Sequence, residues 1–177
     1  MVKSDSTKHK DGLSIPGYVV MESVVGAVCL LATKSDKYKK LSLGGYESLI
    51  MPSIKFRQFF LLRNKKNEPI AYINWALVSD EIEKKFLAGN FEIKPNEWKS
   101  GSKLYIINVI SPFISELDAL KQLNENYLKN REAKILLSGK FKGFKIAALQ
   151  SILTKAENNK KSSVEKPDHT QKSHKTH

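Results

Sequence analysis

Three consecutive segments decide the fold: Gln58-Phe59-Phe60-Leu61-Leu62-Arg63, Asn64-Lys65-Lys66-Asn67-Glu68 and Pro69-Ile70-Ala71-Tyr72-Ile73-Asn74-Trp75-Ala76. The first is aromatic and aliphatic, the second is short and polar, and the third alternates. Two strand-like runs joined by a short polar segment predict an antiparallel hairpin. Downstream, Ser79-Asp80-Glu81 with Glu83 reads as a helix start, since acidic side chains favour the positive end of the helix dipole. That helix runs to about Leu87 and stops near Gly89-Asn90. Lys94 to Trp98 reads as a loop, and Leu104 to Ile110 as an apolar strand closed by Ser111-Pro112-Phe113.

Further on, Leu117, Leu120, Leu123, Tyr127 and Leu128 recur at helical spacing, which predicts a helix from Ile114 or Ser115 to Asn130. Glu132 to Leu137 is another strand. Ile146 to Leu153 is a short strand or helix. Upstream, Tyr18 to Thr33 is a helix, or a strand-turn-helix split at Gly26. Ser35 to Leu41 is a polar loop or short helical turn, and Gly44-Gly45 marks a turn. Pro52 is expected to end any regular element and to hold Met51 extended.

Strands alternating with helices predict a mixed α/β sheet with flanking helices, in two or three layers. The domain is expected over residues 14–153 of the 177, with a disordered leader over 1–13 and a disordered basic tail over 154–177. No repeat is seen. No apolar run reaches the ~18 residues that a membrane span needs. The N-terminus lacks the pattern of a secretory signal. One cysteine, Cys29, rules out an internal disulfide and a cysteine-rich zinc site, and its apolar neighbours predict an inert core thiol. A cytoplasmic location follows as the simplest expectation.

Net charge is +12, which favours an acidic partner: a nucleic acid, an anionic membrane surface or an acidic protein. No helix-turn-helix, zinc-finger or RNP-type pattern is present, and much of the lysine lies near the two ends, so nucleic acid is the weaker choice. The four histidines, His9, His169, His174 and His177, all lie outside the domain. No histidine-dependent chemistry or metal site is expected within it. The segment Ser138-Gly139-Lys140-Phe141-Lys142-Gly143-Phe144-Lys145 could clamp a phosphopantetheine, a nucleic acid or an acidic protein surface. The plain alternative is a basic hairpin turn with its phenylalanines in the core. Trp75 reads as core, whereas Trp98, in a loop, is a substrate-binding candidate.

One ordered set of phrases carries more. Ser35 with Leu41, Met51-Pro52-Ser53-Ile54, Gln58 to Leu62, Pro69 to Tyr72 with Trp75-Ala76, Glu97-Trp98 with Ser100-Gly101, and Ile110-Ser111-Pro112-Phe113 together resemble the lysine acyltransferases that activate RTX (repeat-in-toxin) toxins. The resemblance implies a GNAT-like acyltransferase fold, a bacterial cytoplasmic setting and a homodimer. It implies no bound cofactor, with acyl-acyl carrier protein as the acyl donor and lysines of an RTX protoxin as acceptors. Lys140, Lys142 and Lys145 are then candidates for contact with the acidic carrier.

The family places a catalytic histidine fourteen residues before the proline of the Pro52 phrase, and this chain has Tyr38 there. It places a catalytic aspartate two residues before Ile110, where this chain has Asn108. Phenol titrates near pH ~10, and a carboxamide takes no proton at all, so these two side chains rebuild no base-orienter pair. Two readings stay open. One is transfer by positioning and hydrogen bonding, with Tyr38 as general acid and Asn108 as a donor. The other is a pseudoenzyme that binds carrier protein or toxin without turnover.

Overall fold

A computed structural model of the chain describes residues 7–8, 14–15, 17–129, 131–138 and 144–164. Its strands are β1 (Thr7–Lys8), β2 (Ser14–Ile15), β3 (Phe59–Arg63), β4 (Pro69–Val78), β5 (Lys103–Ile110), β6 (Lys134–Ser138) and β7 (Phe144–Ala148). Its helices are α1 (Gly17–Lys34), α2 (Leu43–Leu49), α3 (Met51–Lys55), α4 (Asp80–Leu87), α5 (Glu116–Leu123) and α6 (Leu149–Val164). β1 pairs with β2 alone, and the other five strands form one sheet in the order β3-β4-β5-β6-β7. All its neighbours are antiparallel except β5 and β6. The expected mixed α/β sheet with flanking helices is what the chain forms.

The hairpin of β3 and β4 is present, with Phe59 opposite Asn74 and Leu62 opposite Ala71. Its turn is tied by Asn64, whose Oδ1 accepts from the Lys66 and Glu68 amides at 2.9 Å each. β4 alternates strictly. Ala71, Ile73 and Trp75 enter one core with Ala119, Leu120 and Leu123 of α5 and Leu149 and Leu153 of α6. On the opposite face, Tyr72 packs with Val24, Val28 and Leu31 of α1, while Ala76 and Val78 pack with Ile82 and Phe86 of α4. The sheet is therefore covered on both faces, and the period-2 alternation of β4 sets which helix covers which side.

Caps behave as their side chains dictate. Ser79 Oγ accepts from the Ile82 amide at the start of α4, and Ser115 Oγ accepts from the Asp118 amide at the start of α5. Ser42 does the same for α2, so Gly44-Gly45 lies inside a helix rather than forming the expected turn. Pro52 also departs from expectation. It sits in the first turn of α3, where a missing N–H costs nothing because that N–H has no partner in the helix. Cys29 is exposed, because the buried stripe of α1 runs through Val24, Val28 and Leu31 and misses it. Ile146 to Leu153 is neither one strand nor one helix: β7 ends at Ala148 and α6 begins at Leu149. α6 continues to Val164, through residues expected to be disordered, with Leu149 and Leu153 buried against the sheet. Gly101 is a forced choice, since a Cβ there would strike the Val78 carbonyl and the Ser79 backbone.

One irregularity positions the site. In the β4–β5 ladder Asn74 lies opposite Asn108, but Trp75 lies opposite Ile106. Ile107 is the extra residue of a β-bulge. Without it, Asn108 would point to the same face as Leu104 and Ile106. With it, Asn108 and Ile110 turn to the face that α1 covers.

Candidate active site

α1 ends at Lys34, and the chain turns back through a tight polar segment in which the Tyr38 amide donates to the Ser35 carbonyl at 3.1 Å. That turn drops Tyr38 into the core beneath α1, where it is 6% exposed. Its phenol donates to Asn108 Oδ1 at 3.2 Å. The two residues are seventy positions apart in sequence, and the turn after α1 and the bulge in β5 bring them together.

Asn108 is held from the other side. Its Nδ2 donates to the Leu49 carbonyl at 3.3 Å and to Asn74 Oδ1 at 3.2 Å, and its backbone N–H reaches the same Asn74 oxygen at 3.0 Å. Asn74 Nδ2 donates to the Leu49 carbonyl at 2.8 Å and to Ser53 Oγ at 3.2 Å. Ser53 donates to the Ile50 carbonyl at 2.6 Å. Its single proton being spent there, the 2.6 Å contact with Tyr72 is one in which Tyr72 O–H donates. A continuous buried chain thus runs Tyr38, Asn108, Asn74, Ser53, Tyr72. Asn74 uses both amide protons and both lone pairs, as a buried carboxamide must if it is not to cost stability.

The electrostatics are those of a neutral site. Burial pushes the Tyr38 phenol well above its ordinary value, the Glu116 carboxylate adds to that, and the Val109 backbone amide opposes it. Burial likewise raises Tyr72, and its side-chain hydrogen bonding with Ser53 and Asn74 opposes that. Neither phenol ionises near neutral pH, so the network holds donors and acceptors but no base. Among the described residues no group of three His, Cys, Asp or Glu side chains is placed to hold a metal.

Beside the site, the parallel pairing of β5 with β6 covers only Tyr105 opposite Lys134 and Ile106 opposite Ile135. Past those rungs, at the level of the bulge, no further pairing joins the two strands.

Of the residues singled out from sequence, the fold joins Tyr38 and Asn108. Lys145 lies exposed on β7, two strands along the sheet from Asn108, and is paired with Leu137. Lys140 and Lys142 lie outside the described residues. Trp98 is fully buried with Phe86, Tyr105 and Val78. Its loop lies against the end of β4, where its carbonyl accepts from the Leu77 amide at 2.8 Å. Asn74, Ser53 and Tyr72 complete the network, and no motif in the sequence singles them out as site residues. The signal was there for Asn74, a carboxamide in a strand otherwise apolar on both faces, which demands buried partners.

Residues 19–152 match the profile of the HlyC, or RTX toxin acyltransferase, family. The chain belongs to this family. Among curated relatives, it is 33% identical over 93 residues to the lysine-acyltransferase RtxC of Vibrio cholerae serotype O1, covering 52% of this chain and 61% of that one. It is 30% identical over 125 residues to the leukotoxin-activating lysine-acyltransferase LktC of a Pasteurella haemolytica-like species, covering 71% and 75%. It is 28% identical over 127 residues to the protein-lysine myristoyltransferase RtxC of Kingella kingae, covering 71% and 70%. For an RTX toxin acyltransferase family member, a buried site without an ionisable base is the feature to be explained. No helix among the described residues is long and apolar enough to cross a membrane.

Proposed function

We propose that this chain moves a fatty acyl group from acyl carrier protein to internal lysines of an RTX protoxin, at a site whose central pair is Tyr38 and Asn108. The observation that carries the reading is their 3.2 Å hydrogen bond, at the two positions where the resemblance implies histidine and aspartate. The relatives' names, lysine-acyltransferase and toxin-activating lysine-acyltransferase, support it.

The chemistry balances without a base in the network. The neutral lysine amine attacks the thioester carbonyl carbon, the C–N bond forms, the C–S bond breaks, and the surplus amine proton ends on sulfur. Tyr38 relays it, giving its phenolic proton to the departing thiolate and taking one from the nitrogen. The Asn108 amide protons are committed to Leu49 and Asn74, so Asn108 serves to orient Tyr38. The rate rests on holding thioester and amine together. In this reading an extended thioester arm enters where the pairing of β5 with β6 ends. The +12 charge steers an acidic carrier protein to it, with Lys140, Lys142 and Lys145 among the contacts.

One observation favours a second reading. Tyr38 is enclosed, with its hydroxyl already engaged, as in a pseudoenzyme that binds carrier protein or toxin without turnover. Incubation with long-chain acyl-acyl carrier protein and an RTX protoxin separates the two. An acylated protoxin lysine, seen by intact mass and lost in Tyr38→Phe, supports transfer. Unmodified protoxin with carrier binding retained supports the second.

A further inference from the structure

β3 is the edge of the five-stranded sheet, and the phase of its hydrogen bonds shows which backbone groups are left over. The Trp75 amide donates to the Gln58 carbonyl at 3.1 Å, and the register then puts Gln58 opposite Trp75 as a hydrogen-bonded pair. Such pairs alternate along an antiparallel ladder. Phe60 and Leu62 are therefore bonded to β4, while Phe59 and Leu61 turn their N–H and C=O groups outward. No partner for those outward groups is found among the described residues.

The same residues floor a groove of about 530 Å³. Val20 and Val24 of α1 wall it on one face of the sheet, Tyr127 stands over the other, and Phe59, Leu61 and Arg63 form its floor. Phe59-Phe60-Leu61-Leu62 carries no charge and no proline, the devices that blunt a free edge. A fatty chain leaves outward N–H and C=O groups unmet, and only an extended backbone answers them in register. Arg63, exposed at one end, fits an acidic side chain on that backbone. The groove also adjoins the site. Phe59 stacks on Tyr72 with centroids 5.8 Å apart, and Tyr72 is the far end of the Tyr38–Asn108 network.

We infer that the protein substrate docks by strand addition: an extended segment pairs with the outward groups of Phe59 and Leu61. Its apolar side chains point alternately towards α1 and Tyr127, and an acidic residue meets Arg63. This rests on the acyltransferase reading, for which the segment is the lysine-bearing stretch of the acceptor.

The test uses the full chain and a synthetic peptide of alternating valine and threonine, with one central lysine and a glutamate at the Arg63 end. On saturation, amide exchange at Phe59 and Leu61 slows about tenfold or more, while Phe60 and Leu62, protected in the free protein, do not change. Leu61→Pro removes an outward N–H without touching the β4 ladder, and abolishes the effect. Should that variant not fold, Arg63→Glu serves instead: it weakens the glutamate peptide and favours one ending in lysine. No change at Phe59 and Leu61 overturns the inference. So does protection of both in peptide-free protein that is dimeric at the same concentration, since a second copy then occupies the edge. Protoxin acylated by Leu61→Pro with unchanged KM overturns the docking and leaves acyl transfer standing. Strand addition without any acylation does the reverse.

Discussion

Asn74 Oδ1 accepts two hydrogen bonds from one residue, the backbone amide of Asn108 at 3.0 Å and its side-chain Nδ2 at 3.2 Å. One carboxamide on β4 thus fixes both the bulge in β5 and the rotamer that faces Tyr38. Replacing Asn74 with leucine leaves the Asn108 amide and Ser53 Oγ short of partners inside the core. Unmet buried polar groups cost about 1–3 kcal/mol each, so Asn74→Leu is expected to lose at least ~2 kcal/mol. Urea denaturation checks this. A loss within ~0.5 kcal/mol, the size of a surface substitution, would show that the network is not what holds the bulge.

The same wiring sets the response to a carboxylate at position 108. An aspartate there would present an oxygen, in place of Nδ2, to the Leu49 carbonyl and to Asn74 Oδ1, which are both acceptors. Asn108→Asp alone is expected to destabilise by about 2–4 kcal/mol, as a buried charge without a counter-charge does. Tyr38→His supplies a donor that can become cationic. The double variant is therefore expected to be more stable than the two single changes add up to, by ~1–3 kcal/mol in a double-mutant cycle. Additive effects would mean that residues 38 and 108 do not face each other.

How much of this was legible in the sequence differs by element. The β3–β4 hairpin was, because alternation and a polar turn are local signals. So were the starts of α4 and α5, where Ser79 and Ser115 precede acidic first turns. The bulge was not, because Ile107 looks like any residue of an apolar strand, and a one-residue mismatch exists only relative to β4. Tyr38 and Asn108 were named through family resemblance, and nothing local to either says that they touch. Pro52 misled because the same residue that ends one helix can open the next. The extent of α6 was hidden by its lysine-rich and asparagine-rich second half, since the burial that anchors it comes from Leu149 and Leu153 at its start.

Alkaline pH tests the burial of the site. Tyr38 and Tyr72 have folded-state values raised above 10.0, their ordinary value. Raised values stabilise the fold fully below the unfolded pKa, and that contribution is lost as pH rises through the folded ones. Stability is expected to fall above pH ~10, with phenolate absorbance from these residues appearing together with unfolding. Tyr38→Phe is expected to flatten that fall. Its cost at neutral pH is about 1–2 kcal/mol, for the Asn108 acceptor left without the phenol. Phenolate absorbance from Tyr38 in the folded protein near pH ~10 would contradict its enclosure.

Acid pH tests a different cluster. Glu83, in α4, accepts from Lys103, from Lys134 Nζ at 2.7 Å and from the Tyr105 hydroxyl at 2.8 Å, tying α4 to β5 and β6. Hydrogen bonds from Lys103 and then Lys134 are the largest causes that bring its carboxyl from 4.5 down to about 2. A depressed value contributes stability above the unfolded pKa and loses it as pH falls through the folded one, here between pH 4.5 and about 2. Wild-type urea midpoints are expected to drop across that window. Glu83→Gln is expected to start lower at pH 7 and to drop less. Parallel curves for the two proteins would remove Glu83 as the anchor.

Trp98, a substrate-binding candidate from sequence, is enclosed in the core, and fluorescence can check that. It is fully buried, and Trp75 is 2% exposed with its ring 4.8 Å from that of Tyr127. Both indoles should emit at short wavelength and resist quenching by iodide, whereas a tryptophan lining a substrate groove would be reached by it. Trp98→Ala removes a large side chain from the cluster of Phe86 and Tyr105, and should cost about 3–5 kcal/mol. Trp98→Phe keeps most of the volume, and deletes an indole N–H that has no partner among the described residues. It should cost far less and leave acceptor binding unchanged. Binding lost in Trp98→Phe with stability retained would return Trp98 to the substrate site, through an opening of the loop that carries it.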